Sequence, residues 1–192
     1  MSYKIPPNTF IVFDCFRTLI SPPPENAYNL MFDELLVPSE EFMKFIKTTR
    51  HAINSLPEGW LKDESKLPEL KAKIQAQMSK DLLTMKPYAT TAEAIKYAGN
   101  QYAVYTNISE GYHVAPLSAG FKNVELSYEV GYVKPSVKVF EYLTEKYNLK
   151  QYAHVILVDD KPANIKAARA FGWKGALACN GVVLDHIIGM LQ

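Results

Sequence analysis

Residues 155–173 read VILVDDKPANIKAARAFGW, and this stretch is the most informative part of the sequence about the fold. The apolar, mostly β-branched run at its start predicts a buried strand over 154–158. Two acids, Asp159 and Asp160, follow the strand directly, and a segment with helical spacing over 162–171 ends at a glycine. The stretch therefore predicts a strand–helix unit with two carboxylates at the carboxyl end of its strand.

Similar units recur along most of the chain. Strands are predicted at 10–14, 101–106, 123–127, 154–158 and 175–179, and helices at 90–99, 110–119, 136–147 and 162–171, with another helix at the C-terminus. Short apolar strands that alternate with helices are typical of βαβ units and a parallel sheet. The predicted fold class is therefore α/β, with a Rossmann-like doubly wound parallel sheet. Ligands of such sheets bind at the carboxyl ends of the strands.

Residues 22–86 do not follow this alternation. Three consecutive prolines stop regular structure at the start of the segment, and Ser39 is a predicted helix N-cap. Apolar residues recur at helical spacing over 25–37, 39–54 and 67–85. We therefore predict an α/β core formed by residues 1–21 and 87–192, with a small helical domain inserted after the first strand.

The composition of the chain is that of an ordinary globular protein, with 192 residues, 48% hydrophobic residues, 21% charged residues and a formal net charge of +1. No basic stripe indicates a nucleic-acid partner, and no apolar stretch approaches the ~18 residues of a transmembrane helix. The N-terminus lacks the features of a secretory signal, so a cytoplasmic location is expected. Cys15 and Cys179 are predicted to be small buried residues in a reducing compartment. The sequence makes no prediction of the oligomeric state.

Polar side chains follow several of the predicted strands at the point where each strand ends. They are Asp14, Thr106, Asn107, Lys134, Asp159 and Asp160. A single aspartate at a strand end is commonly a turn former or a helix cap. Three carboxylates, a hydroxyl and an ammonium group that converge on one edge of a parallel sheet instead predict an active site.

The chemistry of this set favours phosphoryl transfer. Clustered carboxylates repel one another unless a cation lies among them, and Mg²⁺ typically takes one or two carboxylates plus substrate oxygens. A carboxylate can attack phosphorus or carbon and form a covalent intermediate that water later hydrolyses. A threonine hydroxyl and backbone N–H groups can hold phosphate oxygens, while Lys134 offsets negative charge. The set therefore predicts an aspartyl intermediate and a small, phosphorylated substrate.

Four segments resemble the motifs of the haloacid dehalogenase (HAD) superfamily in order and spacing. They are FDCFRTL at 13–19, YTNIS at 105–109, GYVKPSVKVFEYL at 131–143 and the opening stretch at 155–173. The resemblance covers nearly the whole chain and identifies it as a HAD-superfamily hydrolase. The helical segment at 22–86 falls where the superfamily places its C1-type cap.

The resemblance implies roles for the strand-end residues. Asp14 would be the nucleophile, and Lys134 would stabilise both the nucleophile and the transferring group. Thr106 would bind a phosphate oxygen, with Asn107 beside it. The implied cofactor is Mg²⁺, and its implied ligands are Asp14, the backbone carbonyl of Phe16, Asp160, and Asp159 either directly or through water. Thr18 would support the loop after Asp14, and Asn164 would lie behind the metal ligands.

Two residues depart from the superfamily pattern. Phe16 stands where HAD phosphatases usually carry an aspartate that protonates the leaving oxygen, and losing such a group costs about 10²–10⁴ in rate. Arg17 replaces the usual glycine. An aromatic residue at position 16 resembles the haloacid dehalogenase branch, whose halide leaves without protonation. That branch lacks the paired acids seen here at Asp159 and Asp160.

Three hypotheses remain open at this point. The chain is a Mg²⁺-dependent phosphatase that is weak for want of its usual acid, a metal-independent dehalogenase-like hydrolase, or a weakly active or inactive HAD fold used for binding. Glu25, Asp33 and His51 are candidates for a replacement acid in the helical segment, although each is expected to be a surface residue. Arg50 is a candidate for binding an anionic substrate, with a solvated position expected instead.

Overall fold

Five short strands form one parallel sheet in the computed structural model, which describes residues 4–178 and 180–191. The strands are β1 Thr9–Phe13, β2 Tyr102–Thr106, β3 Val124–Leu126, β4 His154–Asp159 and β5 Lys174–Leu177. Their order across the sheet is β3-β2-β1-β4-β5, and every neighbouring pair is parallel. The predicted α/β fold class is confirmed. The predicted last strand extended to Cys179, which lies outside the described residues.

Strand β1 lies at the centre of the sheet and is buried along its whole length. Ile11 and Phe13 belong to one hydrophobic cluster, whereas Phe10 and Val12 belong to another. This division follows from the period of two along a strand, which sends successive side chains to opposite faces of the sheet. Both faces are therefore covered, as expected for a parallel sheet.

Eight α-helices accompany the sheet in the described part of the chain. They are α1 Ser39–Thr48, α2 Leu67–Thr84, α3 Thr91–Ala98, α4 Val114–Ser118, α5 Ser127–Val130, α6 Val137–Lys146, α7 Pro162–Phe171 and α8 Leu184–Leu191. Helices α6 and α7 pack on one face of the sheet, where Phe140, Leu143 and Ala168 join its cluster. On the other face, Ala94 of α3 and Ile187 of α8 pack against the sheet.

The segment 22–86 contains helices, turns and an isolated bridge between Leu35 and Leu61. Besides α1 and α2 it contains short 3₁₀ helices at Ala27–Glu34, Ala52–Asn54 and Glu64–Lys66. Ser39 is the first residue of α1, and Pro38 occupies the N-cap position without a side-chain hydrogen bond, so the predicted Ser39 cap is wrong. The helical character of the segment agrees with the sequence pattern, while the division into two domains stays a prediction.

The helical segment and the sheet share one hydrophobic cluster. Met31, Phe42 and Ile46 of the segment are fully buried in the same cluster as Ile11 and Phe13 of β1. This shared burial holds the segment over the carboxyl ends of the strands. Among the described helices, none has the combination of length and apolar character needed to cross a bilayer.

Candidate active site

The carboxyl ends of β1 and β4 bring three carboxylates together. Asp14 directly follows β1 and its N–H donates a 2.8 Å hydrogen bond to the carbonyl of Val158 in β4. Asp159 ends β4, and Asp160 comes next. Each of these aspartates places a carboxylate oxygen within 4.8 Å of the others. The predicted convergence of Asp14, Asp159 and Asp160 is thus present in the structure.

A buried lysine neutralises part of this charge. The Nζ of Lys134 donates to Asp14 Oδ1 at 2.6 Å, to Asp159 Oδ2 at 2.7 Å and to the carbonyl of Tyr105 at 2.9 Å. All three ammonium protons are therefore used within the protein. Asn107 fixes the lysine backbone, because its side-chain amide donates to the Lys134 carbonyl and accepts from the Lys134 N–H, both at 2.8 Å.

Burial and neighbouring charges shift the pKa values of Asp14 and Lys134. Burial raises the pKa of Asp14 to about 6, against the opposing attraction of Lys134, and the carboxylate of Asp159 raises it further. Burial alone would lower the pKa of Lys134, but Asp14 and Asp159 outweigh it and leave that pKa above its ordinary value. Lys134 therefore stays a cation at neutral pH, and its ammonium group opposes the protonation of Asp14.

The paired acids differ in what they contact. Asp159 is fully buried, and its oxygens accept hydrogen bonds from the Lys161 N–H, from Lys134 Nζ and twice from Asn164 Nδ2, all at 2.7–2.9 Å. Asp160 is partly exposed and accepts no hydrogen bond from the residues that the structure describes. Burial raises the pKa of Asp160, and the neighbouring Asp159 adds to this effect. The contacts favour Asp160 over Asp159 as a direct ligand for a cation.

The loop after β1 wraps around Asp14. Thr18 is buried and its hydroxyl donates to Asp14 Oδ2 at 3.5 Å. Arg17 adopts a left-handed backbone with φ 65°, a conformation that favours glycine. Cys15 is fully buried in the core cluster, in agreement with its prediction, and burial raises the pKa of its thiol.

This edge of the sheet opens into a cavity of about 370 Å³ beneath the helical segment. That volume suits a small metabolite. The core contributes lining residues Asp14, Phe16, Arg17, Thr106, Asn107, Ile108, Ser109, Tyr112, Asp160, Lys161 and Asn164. The segment contributes Pro22, Pro23, Pro24, Glu25, Asn26, Asn29 and Lys47. Both sets together make the cavity polar, with charges of each sign.

Thr106, which ends β2, and Asn107, which follows it, differ in their availability to a ligand. The Thr106 hydroxyl forms no hydrogen bond within the described ranges, so it is free to contact a ligand, and its phosphate-binding role stays a prediction. The amide of Asn107 is committed to the backbone of Lys134, although the residue lines the cavity. A phosphate-binding role for Asn107 stays a prediction, and its contacts show that it positions Lys134.

Other cavity residues were not predicted from the sequence. Lys47 lines the cavity, whereas Arg50, the predicted anion-binding candidate, follows the end of α1 and lies 3.6 Å from Glu129 in an exposed ion pair. Helical spacing indicates which face of α1 is buried but not what faces it across the fold, so no local signal singles out Lys47. Tyr112 also lines the cavity, and no local pattern in the sequence indicates that it does.

The three candidate acids of the helical segment differ in whether they reach the cavity. Glu25 lines the cavity. The Nδ1 of His51 lies 3.3 Å from Glu110 Oε1, outside the lining of the cavity, and Asp33 is exposed elsewhere on the segment. Glu25 is therefore the candidate that the fold brings to the site.

A family model of haloacid dehalogenase-like hydrolases matches residues 24–178, most of the chain. The chain belongs to this family. The predicted membership of the HAD superfamily, with its hydrolase class, is therefore confirmed. The matched range begins after Asp14 and includes Lys134, Asp159 and Asp160.

Solved structures similar to this HAD-like hydrolase support the same fold. A predicted HAD-like family hydrolase from Porphyromonas gingivalis has a TM-score of 0.62 at 20% identity, over 95% of this chain and 97% of that chain. A HAD family enzyme from Bacteroides thetaiotaomicron, in complex with magnesium and inorganic phosphate, has a TM-score of 0.61 at 17% identity, over 93% and 98%. A 2-haloacid dehalogenase from Pseudomonas syringae has a TM-score of 0.60 at 16% identity, over 88% and 85%. A comparison with curated proteins finds no match.

Proposed function

We propose that this HAD-like hydrolase is a Mg²⁺-dependent phosphatase that acts on a small phosphorylated metabolite through an aspartyl-phosphate at Asp14. The observation that carries the proposal is the arrangement of Asp14 and Asp160. Asp14 is held by buried Lys134 at the floor of the cavity, beside the unpartnered carboxylate of Asp160. The similar Bacteroides thetaiotaomicron enzyme, crystallised with magnesium and inorganic phosphate, supports the choice of cofactor and substrate class.

The donor set fits Mg²⁺. Asp14 and Asp160 supply hard carboxylate oxygens on the cavity side, while Lys134 offsets the charge of the third carboxylate, Asp159. The Phe16 carbonyl, which accepts no hydrogen bond from the described residues, is the remaining proposed ligand. When bound, Mg²⁺ would reduce the repulsion between the Asp14 carboxylate and an anionic phosphoryl group.

The residues of the site support a two-step displacement. The Asp14 carboxylate attacks phosphorus, the ester P–O bond breaks, and the leaving oxygen departs opposite Asp14. Lys134 holds Asp14 in place, and the Thr106 hydroxyl donates to a phosphoryl oxygen. Water then attacks the phosphorus of the acyl phosphate, which releases inorganic phosphate and restores the Asp14 carboxylate.

The leaving oxygen lacks the usual proton donor. The phenyl ring of Phe16 lines the cavity and carries no acidic proton, so the leaving group departs as an anion or takes a proton from Glu25 or water. Aryl and acyl phosphates, whose leaving groups are stable anions, should therefore react faster than alkyl phosphates.

Phe16 also supports a second candidate, the metal-independent dehalogenase, because a halide needs no proton to leave. The carboxylate of Asp160 opposes this candidate. It faces the same cavity without a salt bridge in the part of the chain that the structure describes, and it would repel the carboxylate of a haloacid.

The test is steady-state hydrolysis of 4-nitrophenyl phosphate in Mg²⁺ and in EDTA, together with chloride release from 2-chloropropionate. We expect phosphate release that requires Mg²⁺ and falls at least about 10³-fold in Asp14→Asn, because the nucleophile is lost. Asp33→Asn, an exposed acid outside the cavity, serves as the control and should keep wild-type activity. Chloride release in EDTA would establish the dehalogenase instead, and a lack of both activities would favour a binding function.

A further inference from the structure

The last turn of α1 is anchored to the core at the edge of the cavity. The hydroxyl of Ser127, which accepts a hydrogen bond from the Ile108 N–H, lies 2.7 Å from the carbonyl oxygen of Lys47. Three residues beyond the end of α1, the His51 N–H donates to Glu110 Oε2 at 2.7 Å. These contacts connect the helical segment to the loop after β2 and to the start of α5. The position of Lys47 over the cavity is thereby fixed by the fold.

The ammonium group of Lys47 has no anionic partner among the residues that the structure describes. The side chain lines the cavity, yet no carboxylate lies within 4 Å of its Nζ in residues 4–178 and 180–191. Lys161, at the start of α7, lines the same cavity, and burial together with this second cation lowers the pKa of Lys47. A partly desolvated cation beside another cation is unfavourable unless a bound anion compensates it.

The location of Lys47 indicates which part of a substrate it faces. The transferring phosphoryl group must contact Asp14, which lies at the sheet edge with Thr106. Displacement in line sends the leaving group away from Asp14, towards the opposite wall of the cavity. That wall is the helical segment, to which Lys47 belongs.

We propose that Lys47, assisted by Lys161, binds an anionic group on the leaving portion of the substrate. The substrate class is then small phosphate esters that carry a carboxylate or a second phosphate. This inference rests on the proposed phosphatase function and narrows it to doubly anionic substrates. The shared chemistry is a cluster of anionic oxygens a few bonds away from the reacting phosphate.

Calorimetric binding in Mg²⁺ buffer tests the inference without requiring turnover. Three unreactive probes of equal chain length are compared: propylphosphonate, 3-phosphonopropionate and propane-1,3-diphosphonate. The first lacks a second anion, the second carries a carboxylate, and the third carries another phosphonate. The variants are Lys47→Met, the conservative Lys47→Arg, and the control Lys44→Met, which removes an exposed lysine of α1 outside the cavity.

We expect the wild type to bind at least one doubly anionic probe about 10- to 100-fold more tightly than propylphosphonate, as is typical of a charged hydrogen bond. Lys47→Met should abolish this preference while leaving the Kd of propylphosphonate within about twofold. Lys47→Arg and Lys44→Met should retain the preference. The probe with the larger advantage distinguishes a carboxylate substrate from a bisphosphate.

Three outcomes would overturn the inference. Equal binding of all probes by the wild type, alongside Mg²⁺-dependent phosphatase activity, would remove it and leave the proposed function intact. An equal loss of affinity for all probes in Lys47→Met would assign Lys47 to the phosphoryl group. A wild type that binds no phosphonate and hydrolyses no phosphate ester would refute both proposals.

Discussion

Phe16 is the residue whose chemistry is least expected beside a nucleophilic carboxylate. Its ring lines the cavity and packs partly against the core cluster, so the position is close to the reacting atoms but supplies no proton. Because no proton is supplied at this position, the rate of hydrolysis depends on how stable the leaving group is as an anion. The natural substrate should then contain a good leaving group or bring its own acid.

The substitution Phe16→Asp tests this interpretation at the same position. We expect hydrolysis of alkyl phosphates to rise about 10²- to 10⁴-fold, with a smaller gain for 4-nitrophenyl phosphate, because only poor leaving groups need protonation. Phe16→Asn serves as the control, since it is polar and of similar size but has no acidic proton. A gain of the same size in both variants would mean that the phenyl ring, and not the missing acid, limits the reaction of the wild type.

Lys134 is the residue on which the charge balance of the site depends. Lys134→Met leaves Asp14 and Asp159 as buried carboxylates without a cation, so we expect the free energy of unfolding in EDTA to fall by about 3–5 kcal/mol in urea titrations. Adding Asp159→Asn should recover part of the loss, because one buried charge is removed. An unchanged midpoint for Lys134→Met would contradict the central role of this ammonium group.

At the scale of elements, Tyr112 connects the core to two parts of the helical segment. Its hydroxyl accepts a hydrogen bond from the Ala27 N–H at 2.8 Å and donates to Asp81 Oδ2 at 2.5 Å. Asp81 is buried in α2 and also accepts from Gln77 at 2.8 Å. One phenol thus joins the loop after β2 to α2 and to the start of a 3₁₀ helix.

Tyr112→Phe should therefore destabilise the protein. We expect a loss of about 1–3 kcal/mol in the free energy of unfolding, because a buried carboxylate and an N–H lose a partner. The control is Tyr132→Phe, at a partly exposed tyrosine whose hydroxyl forms no hydrogen bond with described residues. Equal unfolding midpoints for the two variants would show that the Tyr112 hydroxyl does not couple the elements.

The sequence predicts elements well where the pattern is local. The runs that form β1, β2 and β4 end at polar residues, so Asp14, Thr106 and Asp159 could be placed at one sheet edge before the structure was known. The apolar spacing over 25–37 predicts a helix, and the structure has a 3₁₀ helix over Ala27–Glu34. The type of helix could not be predicted, because eight residues are too few to separate a period of 3.0 from one of 3.6.

Contacts between distant parts of the chain could not be predicted in this way. The hydrogen bonds of Tyr112 to Ala27 and Asp81 join positions far apart in sequence, and so does the approach of Ser127 to Lys47. Periodicity identifies a buried helix face but not its partner. The pairing of the Asn107 amide with the Lys134 backbone could not be predicted either, because it depends on how two loops meet.

At the scale of the whole molecule, the shared hydrophobic cluster should make unfolding cooperative. The chain has two tryptophans, Trp60 in the helical segment and Trp173 in the core. In Trp173→Phe the fluorescence of Trp60 reports on the helical segment, and in Trp60→Phe the fluorescence of Trp173 reports on the core. We expect the two urea transitions to coincide, because Phe42 and Ile46 are buried with β1. A lower midpoint for the signal of Trp60 would show that the segment unfolds as an independent domain.

The most direct test of the proposed chemistry is a crystal structure grown with Mg²⁺ and beryllium fluoride, which mimics a phosphoryl group on aspartate. We expect a beryllium fluoride group bonded to an Asp14 oxygen, with Mg²⁺ bound by Asp14, the Phe16 carbonyl and Asp160, and with Thr106 in contact with a fluoride. An empty Asp14 carboxylate at millimolar Mg²⁺ and beryllium fluoride, with no ion at Asp160, would contradict the assignment of Asp14 as the nucleophile of a Mg²⁺-dependent phosphatase.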